Sequence, residues 1–254
     1  MTGPVLRTLL DARRAGPGFL WLIDPDKIDT RRPDPRWETA SEAGVTAFLV
    51  GTSQSGNDRF DCVVAFLRKH TRLPLILFPG SASQVSPHVD AVLFLSLLSG
   101  RNPDYLVGEQ VKGTPLIRDY GIEPIPTGYI LVDTGTQTSV ASQSATHPIP
   151  EDDIESICDH ALCAQYMGKT LVYLEAGSGA RNPIGAVAIR RVKDSIAVPL
   201  IVGGGIRTAE ACAKAVQAGA DFVVVGTALE IDRSAVLLQE MCEATRSTQG
   251  VVPR

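Results

Sequence analysis

Eight short apolar runs, each closing on small or polar residues, set the strongest limit on what this chain can fold into. They end at Asp24 (GFLWLID), Ser53 (TAFLVGTS), Gly80 (LPLILFPG), Gly100 (AVLFLSLLSG), Thr134 (GYILVDT), Gly179 (TLVYLEAGSG), Gly205 (PLIVGGG) and Thr227 (DFVVVGT). The runs are β-branched and aromatic, and apolar throughout rather than alternating, so each reads as a strand covered on both faces. Between several of them the spacing turns helical. Ile154, Ile157, Cys158, Ala161 and Leu162 share one face over 152–167, and a second helix is predicted over 209–218. Strands alternating with helices over 254 residues, joined by right-handed crossovers, predict an α/β fold of the closed (β/α)8 TIM barrel type.

One domain is expected over 1–254, with 1–17 as an N-terminal extension and 245–254 as a frayed tail. Two segments break the alternation. SASQVSPHVD, 81–90, is too short and polar for a full third crossover helix, and TQTSVASQSATHPIP, 136–150, is a long polar loop suited to the rim or lid of a site. With 24 Lys+Arg against 28 Asp+Glu and no long like-charge block, the chain has no field to gather nucleic acid. Its five scattered cysteines contain no C-x-x-C pair and read as small apolar helix residues in a reducing, cytoplasmic setting. Arg7, Arg13 and Arg14 interrupt the only apolar stretch near the N-terminus, so no export signal is expected. The longest charge-free apolar stretch, 91–100, is half of the ~20 residues that a membrane-spanning helix needs. None of the four histidines stands in a metal-ligand spacing, and all read as surface or loop residues.

The chemistry gathers at the ends of the strands. PLIVGGGIRTAEAC places three glycines between a strand and a helix start, with Thr208 as N-cap, and DFVVVGT ends the eighth strand on Gly226 and Thr227. Paired small-residue turns after the last two barrel strands are where such folds hold a phosphate group on backbone N–H donors. The alternative, that these glycines only permit tight turns, does not explain why both occur at the expected pair of strands. On the sixth strand Tyr173 and Glu175 lie two apart and share a side, so a hydroxyl and a carboxylate converge on the barrel mouth. Glu175 can accept from a polyol and withdraw its proton. A carboxylate merely paired with a basic residue is the competing reading, disfavoured because charge in an apolar strand is costly. Asp24 and the Ser53 hydroxyl end neighbouring strands and are both hard oxygen donors, a set that suits Mg²⁺ completed by water and phosphate. On spacing alone Asp24 serves equally well as a turn former before proline.

These motifs resemble the geranylgeranylglyceryl phosphate synthase family, which includes the PcrB-type heptaprenylglyceryl phosphate synthases. The resemblance runs nearly end to end: LIDPDK at 22–27, VGTS at 50–53, FPGSASQVSPHVDAVLFLSLLSGRNPDYLVGEQV at 78–111, PTGYILVD at 126–133, YLEAGSGA at 173–180, then VGGGIR and VVVGT. It implies an Mg²⁺-dependent prenyltransferase that joins sn-glycerol 1-phosphate to a polyprenyl diphosphate. It further implies that Asp24 and Ser53 contact the metal. Tyr173, Leu174, Glu175, Ala176, Gly177, Ser178, Gly179, Gly203, Gly204, Gly226 and Thr227 would hold glycerol phosphate, with Glu175 as the catalytic base. Three departures stand out. Leu22 occupies a position where some members, PcrB types among them, have lysine, Gly226-Thr227 stands where PcrB types have Gly-Asn, and YLEAGSGA is similar to the geranylgeranyl branch rather than to YLEYSG of PcrB types. The resemblance therefore implies a C20 donor, a homo-oligomer, and transient membrane contact by an enzyme whose product is a lipid. The alternatives are a longer heptaprenyl donor, a sugar-phosphate isomerase using Asp24 and Glu175 as an acid and base pair, or an idle barrel that binds a phosphometabolite.

Overall fold

The computed structural model describes residues 2–52, 58–136 and 139–247. Eight parallel strands close into a ring: β1 (Gly18–Ile23), β2 (Val45–Val50), β3 (Leu75–Leu77), β4 (Ala91–Leu97), β5 (Glu123–Asp133), β6 (Leu171–Glu175), β7 (Leu200–Gly203) and β8 (Phe222–Val225). Each pairs with the next in chain order, and β8 pairs back onto β1. A two-residue strand, Ile149–Pro150, adds to the end of β5. The helices are α1 (Pro4–Ala15), α2 (Arg36–Ala43), α3 (Asp58–His70), α4 (Glu109–Tyr120), α5 (Ser139–Ser144), α6 (Ile154–Tyr166), α7 (Ala186–Ser195), α8 (Ala209–Gln217), α9 (Thr227–Ile231) and α10 (Ala235–Arg246). The (β/α)8 barrel expected from the eight apolar runs is the fold observed.

Strand alternation sorts the core into two layers. Leu20, Leu49, Ile76, Leu93, Ile201 and Val224 fill the barrel. Their sequence neighbours, such as Phe19, Trp21, Phe48, Val202 and Val223, face the helices. Local chemistry starts the helices where expected. Thr208 accepts from the Ala211 N–H at 3.1 Å to open α8, and Asp153 accepts from Ser156 at 3.2 Å to open α6.

Both chain ends pack against the barrel through the residues described. The N-terminal extension is a helix, α1, that stoppers the barrel: Val5, Leu6 and Leu9 join the interior layer, and Glu123 at the start of β5 accepts from the Val5 and Leu6 N–H groups. At the other end α10 runs through Thr245, which is fully buried with its hydroxyl donating to the Met241 carbonyl, so fraying does not begin at 245. Residues 248–254 lie outside the described residues.

The third crossover is irregular, as expected, and holds only a 3-10 turn, Ala82–Gln84. Pairing between β3 and β4 stops at Leu77 and Val92, whereas β4 continues along β5 to Leu97. A seam therefore opens in the barrel wall beside Leu93–Leu97. The polar segment after β5 is not a bare loop, since it contains α5 and the two-residue strand. All five cysteines are helical, but only Cys212 and Cys242 are buried, while Cys62 and Cys163 are exposed. His70 and His160 also sit on helices and are half-buried, His70 against the Phe66 ring. Among the described residues no helix is long and apolar enough to cross a membrane.

Candidate active site

The same alternation that packs the interior decides which side chains reach the C-terminal mouth of the barrel. Counting outward from Leu20, Leu49, Tyr173, Ile201 and Val224, the inward positions at the strand ends are Asp24, Gly51, Glu175, Gly203 and Gly226. One continuous cavity gathers Asp24, Tyr173, Glu175, Gly177, Ser178, Gly179, Gly204, Gly226 and Thr227 from strands one, six, seven and eight. Leu174 and Ala176 are not in it. Alternation turns their side chains outward into the helix-facing core, so they can meet a ligand only through backbone. Gly203 lies just beneath, where a Cβ would stand 2.4 Å from the Tyr173 hydroxyl oxygen. Ser53 lies outside the described residues.

Glu175 is 5% exposed, and the Gly177 N–H donates to its Oε1 at 2.7 Å. Burial pushes its carboxyl up to about 7, held from rising further by the Tyr173 hydroxyl and the Gly177 N–H. Tyr173 is fully buried, stacked on Phe78 and edge-on to Tyr129, and its hydroxyl has no hydrogen-bond partner of good geometry among the described residues. Burial, with the Glu175 charge behind it, pushes this phenol well above its ordinary range, so it remains a donor. A carboxyl raised by burial and a buried phenol hydroxyl thus share one floor. Gly204 completes it: φ is +83°, and a Cβ there would stand 2.4 Å from Glu175 Oε1, so only glycine fits.

The opposite rim is charged. Asp24 caps the 3-10 turn Pro25–Lys27 by accepting from the Asp26 N–H at 3.1 Å. Lys27 reaches Glu230 at 2.7 Å and Asp24 at 3.4 Å, and both partners line the cavity with it. Arg207 also lines the cavity and donates to the Ala180 carbonyl. Neither Lys27 nor Arg207 figures in the sequence reading, although Lys27 lies within LIDPDK and Arg207 directly follows the triple glycine and Ile206. No three His, Cys, Asp or Glu residues cluster among the described residues. Asp24 is a hard oxygen donor of the kind that suits Mg²⁺, which keeps several waters and takes substrate phosphate oxygens.

From this polar end the cavity continues into an apolar arm that the sequence reading did not assign. Val85, Val92, Phe94, Gly113 and Ile117 line it, between the seam of β4 and the helix α4. The missing third crossover helix is the sequence signal that points to this opening.

The PcrB family model matches residues 10–245. A geranylgeranylglyceryl phosphate synthase of Zunongwangia profunda is 48% identical over 209 residues, 82% of this chain and 89% of its own. One from Thermococcus gammatolerans is 41% identical over 225 residues, 87% of this chain and 88% of its own. Among solved structures, (S)-3-O-geranylgeranylglyceryl phosphate synthase from Thermoplasma acidophilum, in complex with its substrate sn-glycerol-1-phosphate, superposes with TM-score 0.86. It is 36% identical and covers 98% of this chain and 100% of its own. A tryptophan synthase α chain of Legionella pneumophila, 18% identical with TM-score 0.59 over 97% of this chain and 98% of its own, shares the fold alone.

Proposed function

The chain belongs to the PcrB family, and on that premise we propose that it joins geranylgeranyl diphosphate to the C3 hydroxyl of sn-glycerol 1-phosphate. The products are geranylgeranylglyceryl phosphate and diphosphate, a step of ether lipid biosynthesis. The observation that carries the reading is one cavity with two ends of opposite character. Its floor of Glu175, Tyr173 and tight glycine turns suits a small phosphorylated polyol, and its apolar arm suits a hydrocarbon chain. An isomerase or an idle phosphometabolite-binding barrel has no use for the arm.

Glycerol phosphate binds on Tyr173, Glu175, Gly177, Ser178 and Gly179, with its phosphate toward Gly203-Gly204 and Gly226-Thr227. Leu174 and Ala176 contribute backbone only. Lys27 or Arg207 supplies the positive charge that Leu22 does not. Glu175 accepts the hydrogen bond of the C3 hydroxyl and takes its proton as that oxygen bonds to C1 of the allylic chain. The C1–oxygen bond to diphosphate breaks in the same event. An allylic centre tolerates early departure of the leaving group, so alignment and charge stabilisation are the main tasks. Mg²⁺, held by Asp24 with Ser53, would neutralise the departing diphosphate. The YLEAGSGA pattern and the names of the relatives support a C20 donor. A cytoplasmic homo-oligomer that touches membranes transiently to deliver its product completes the reading.

The test is incubation with labelled sn-glycerol 1-phosphate, geranylgeranyl diphosphate and Mg²⁺, followed by solvent extraction and mass analysis of the extract. Label in the lipid phase at the mass of the ether is expected. Label confined to water overturns the proposal.

A further inference from the structure

The apolar arm carries a polar device for which proton transfer and phosphate binding have no use. Beyond Val92, β4 has no strand partner on its β3 side among the described residues, and α4 stands across the gap. The Leu98 N–H reaches the Tyr129 carbonyl on β5, so two-residue alternation turns the backbone of Leu95 away from β5 and into the seam. The chain enters α4 through a π-helical turn, Asp104–Gly108, whose wider ring changes the phase of the residues that follow. The first two of those residues reach opposite walls. Glu109 accepts from the Ala82 N–H on the third crossover at 2.6 Å and is braced by Lys112 at 2.7 Å. Gln110 donates through Nε2 to the Leu95 carbonyl on β4, and to the Tyr105 carbonyl at 3.4 Å. Its Oε1 is buried without a hydrogen-bond partner among the described residues, a cost that a residue kept only for packing would not carry.

We propose that Glu109 and Gln110 form a clamp that sets the bore of the apolar arm, and with it the prenyl chain length the enzyme accepts. The proposal rests on the prenyl-transfer reading. One hydrogen-bonded tie holds α4 to the crossover and the other holds it to β4, so the arm widens only if a tie is released. A hydrocarbon offers neither side chain a donor or an acceptor. Their influence on the donor is therefore steric, exerted through the position of α4, which makes them positioning residues.

The test offers the enzyme an equimolar mixture of C15, C20, C25 and C35 diphosphates with sn-glycerol 1-phosphate, and reads the product ratio by mass. Gln110→Leu keeps the bulk and removes the tie to Leu95, and Glu109→Gln weakens the tie to Ala82 by removing its charge. In each folded variant the ratio of longer to C20 product is expected to rise by about ten-fold, the scale on which apolar sites discriminate methylene length. The KM for sn-glycerol 1-phosphate should stay near wild type. An unchanged product ratio in the folded variants overturns the clamp, even if kcat falls for all donors alike. If one variant fails to fold by circular dichroism, the other decides. A wild-type enzyme that makes no lipid product from any donor overturns the prenyl-transfer reading itself, and the clamp with it.

Discussion

Replacing Glu175 by Gln removes a charge from the barrel interior while keeping an acceptor for the Gly177 N–H at 2.7 Å. In the folded chain burial raises this carboxyl from 4.5 to about 7, so the native state holds the proton more tightly than the unfolded chain does. Stability linked to the group is therefore complete below about pH 4.5 and is lost as the pH rises through about 7. At about 1.36 kcal/mol per pH unit the loss amounts to about 3 kcal/mol by pH 8. Glu175→Gln has no charge to bury. Its advantage over wild type should grow from near zero at pH 4.5 to about 3 kcal/mol at pH 8, read from urea denaturation at each pH. For a domain of this size that is about 6–12 °C in melting temperature. The same substitution removes the base, so kcat should fall on the order of 10²–10⁴-fold and lose its rise through pH 7. A stability difference that does not change with pH would refute the reasoning about burial. Near-normal turnover by the variant would refute the assignment of the base.

Other substitutions separate the remaining parts of the site. Gly204→Ala puts a Cβ 2.4 Å from Glu175 Oε1 at a positive φ, and should cost about 1–3 kcal/mol with a raised KM for sn-glycerol 1-phosphate. Stability and steady-state kinetics on one preparation check both. Asp24→Asn should raise the Mg²⁺ concentration for half-maximal activity at least about ten-fold, measured by titrating the ion against initial rate. Arg36 is 4% exposed, pairs with Asp34 at 2.6 Å, donates to the Leu229 carbonyl and lies over the Trp21 ring. Arg36→Met strands Asp34 and the Leu229 carbonyl and should cost about 3–5 kcal/mol in urea denaturation, with little change in KM.

The barrel was legible because its signal is local. Each strand is a run of apolar residues whose two-residue alternation puts Tyr173 and Glu175 on one side, and whose small or polar ends put Asp24 and Gly226 on the same rim. The same alternation shows why Leu174 and Ala176 line nothing: a contiguous motif contributes only every second side chain to the mouth. What the sequence did not reveal depends on contacts between distant segments. The apolar arm joins Val85 on the crossover, Phe94 on β4 and Ile117 on α4, and no spacing rule links them. Lys27 and Arg207 escaped notice because their neighbours carry the stronger motif, and only the folded rim brings them to one cavity. The order of α1 was hidden for a related reason. Val5, Leu6 and Leu9 are too few to signal a core helix until the barrel end that they fill exists.

The most direct measurement of the central claim is a donor series from C10 to C35 diphosphate, each with labelled sn-glycerol 1-phosphate, with and without Mg²⁺, scored by label in the lipid phase. A product that peaks at C20 and depends on Mg²⁺ is the expected result. Label that never leaves the aqueous phase, whatever the donor, would contradict a cavity built to join glycerol phosphate to a prenyl chain.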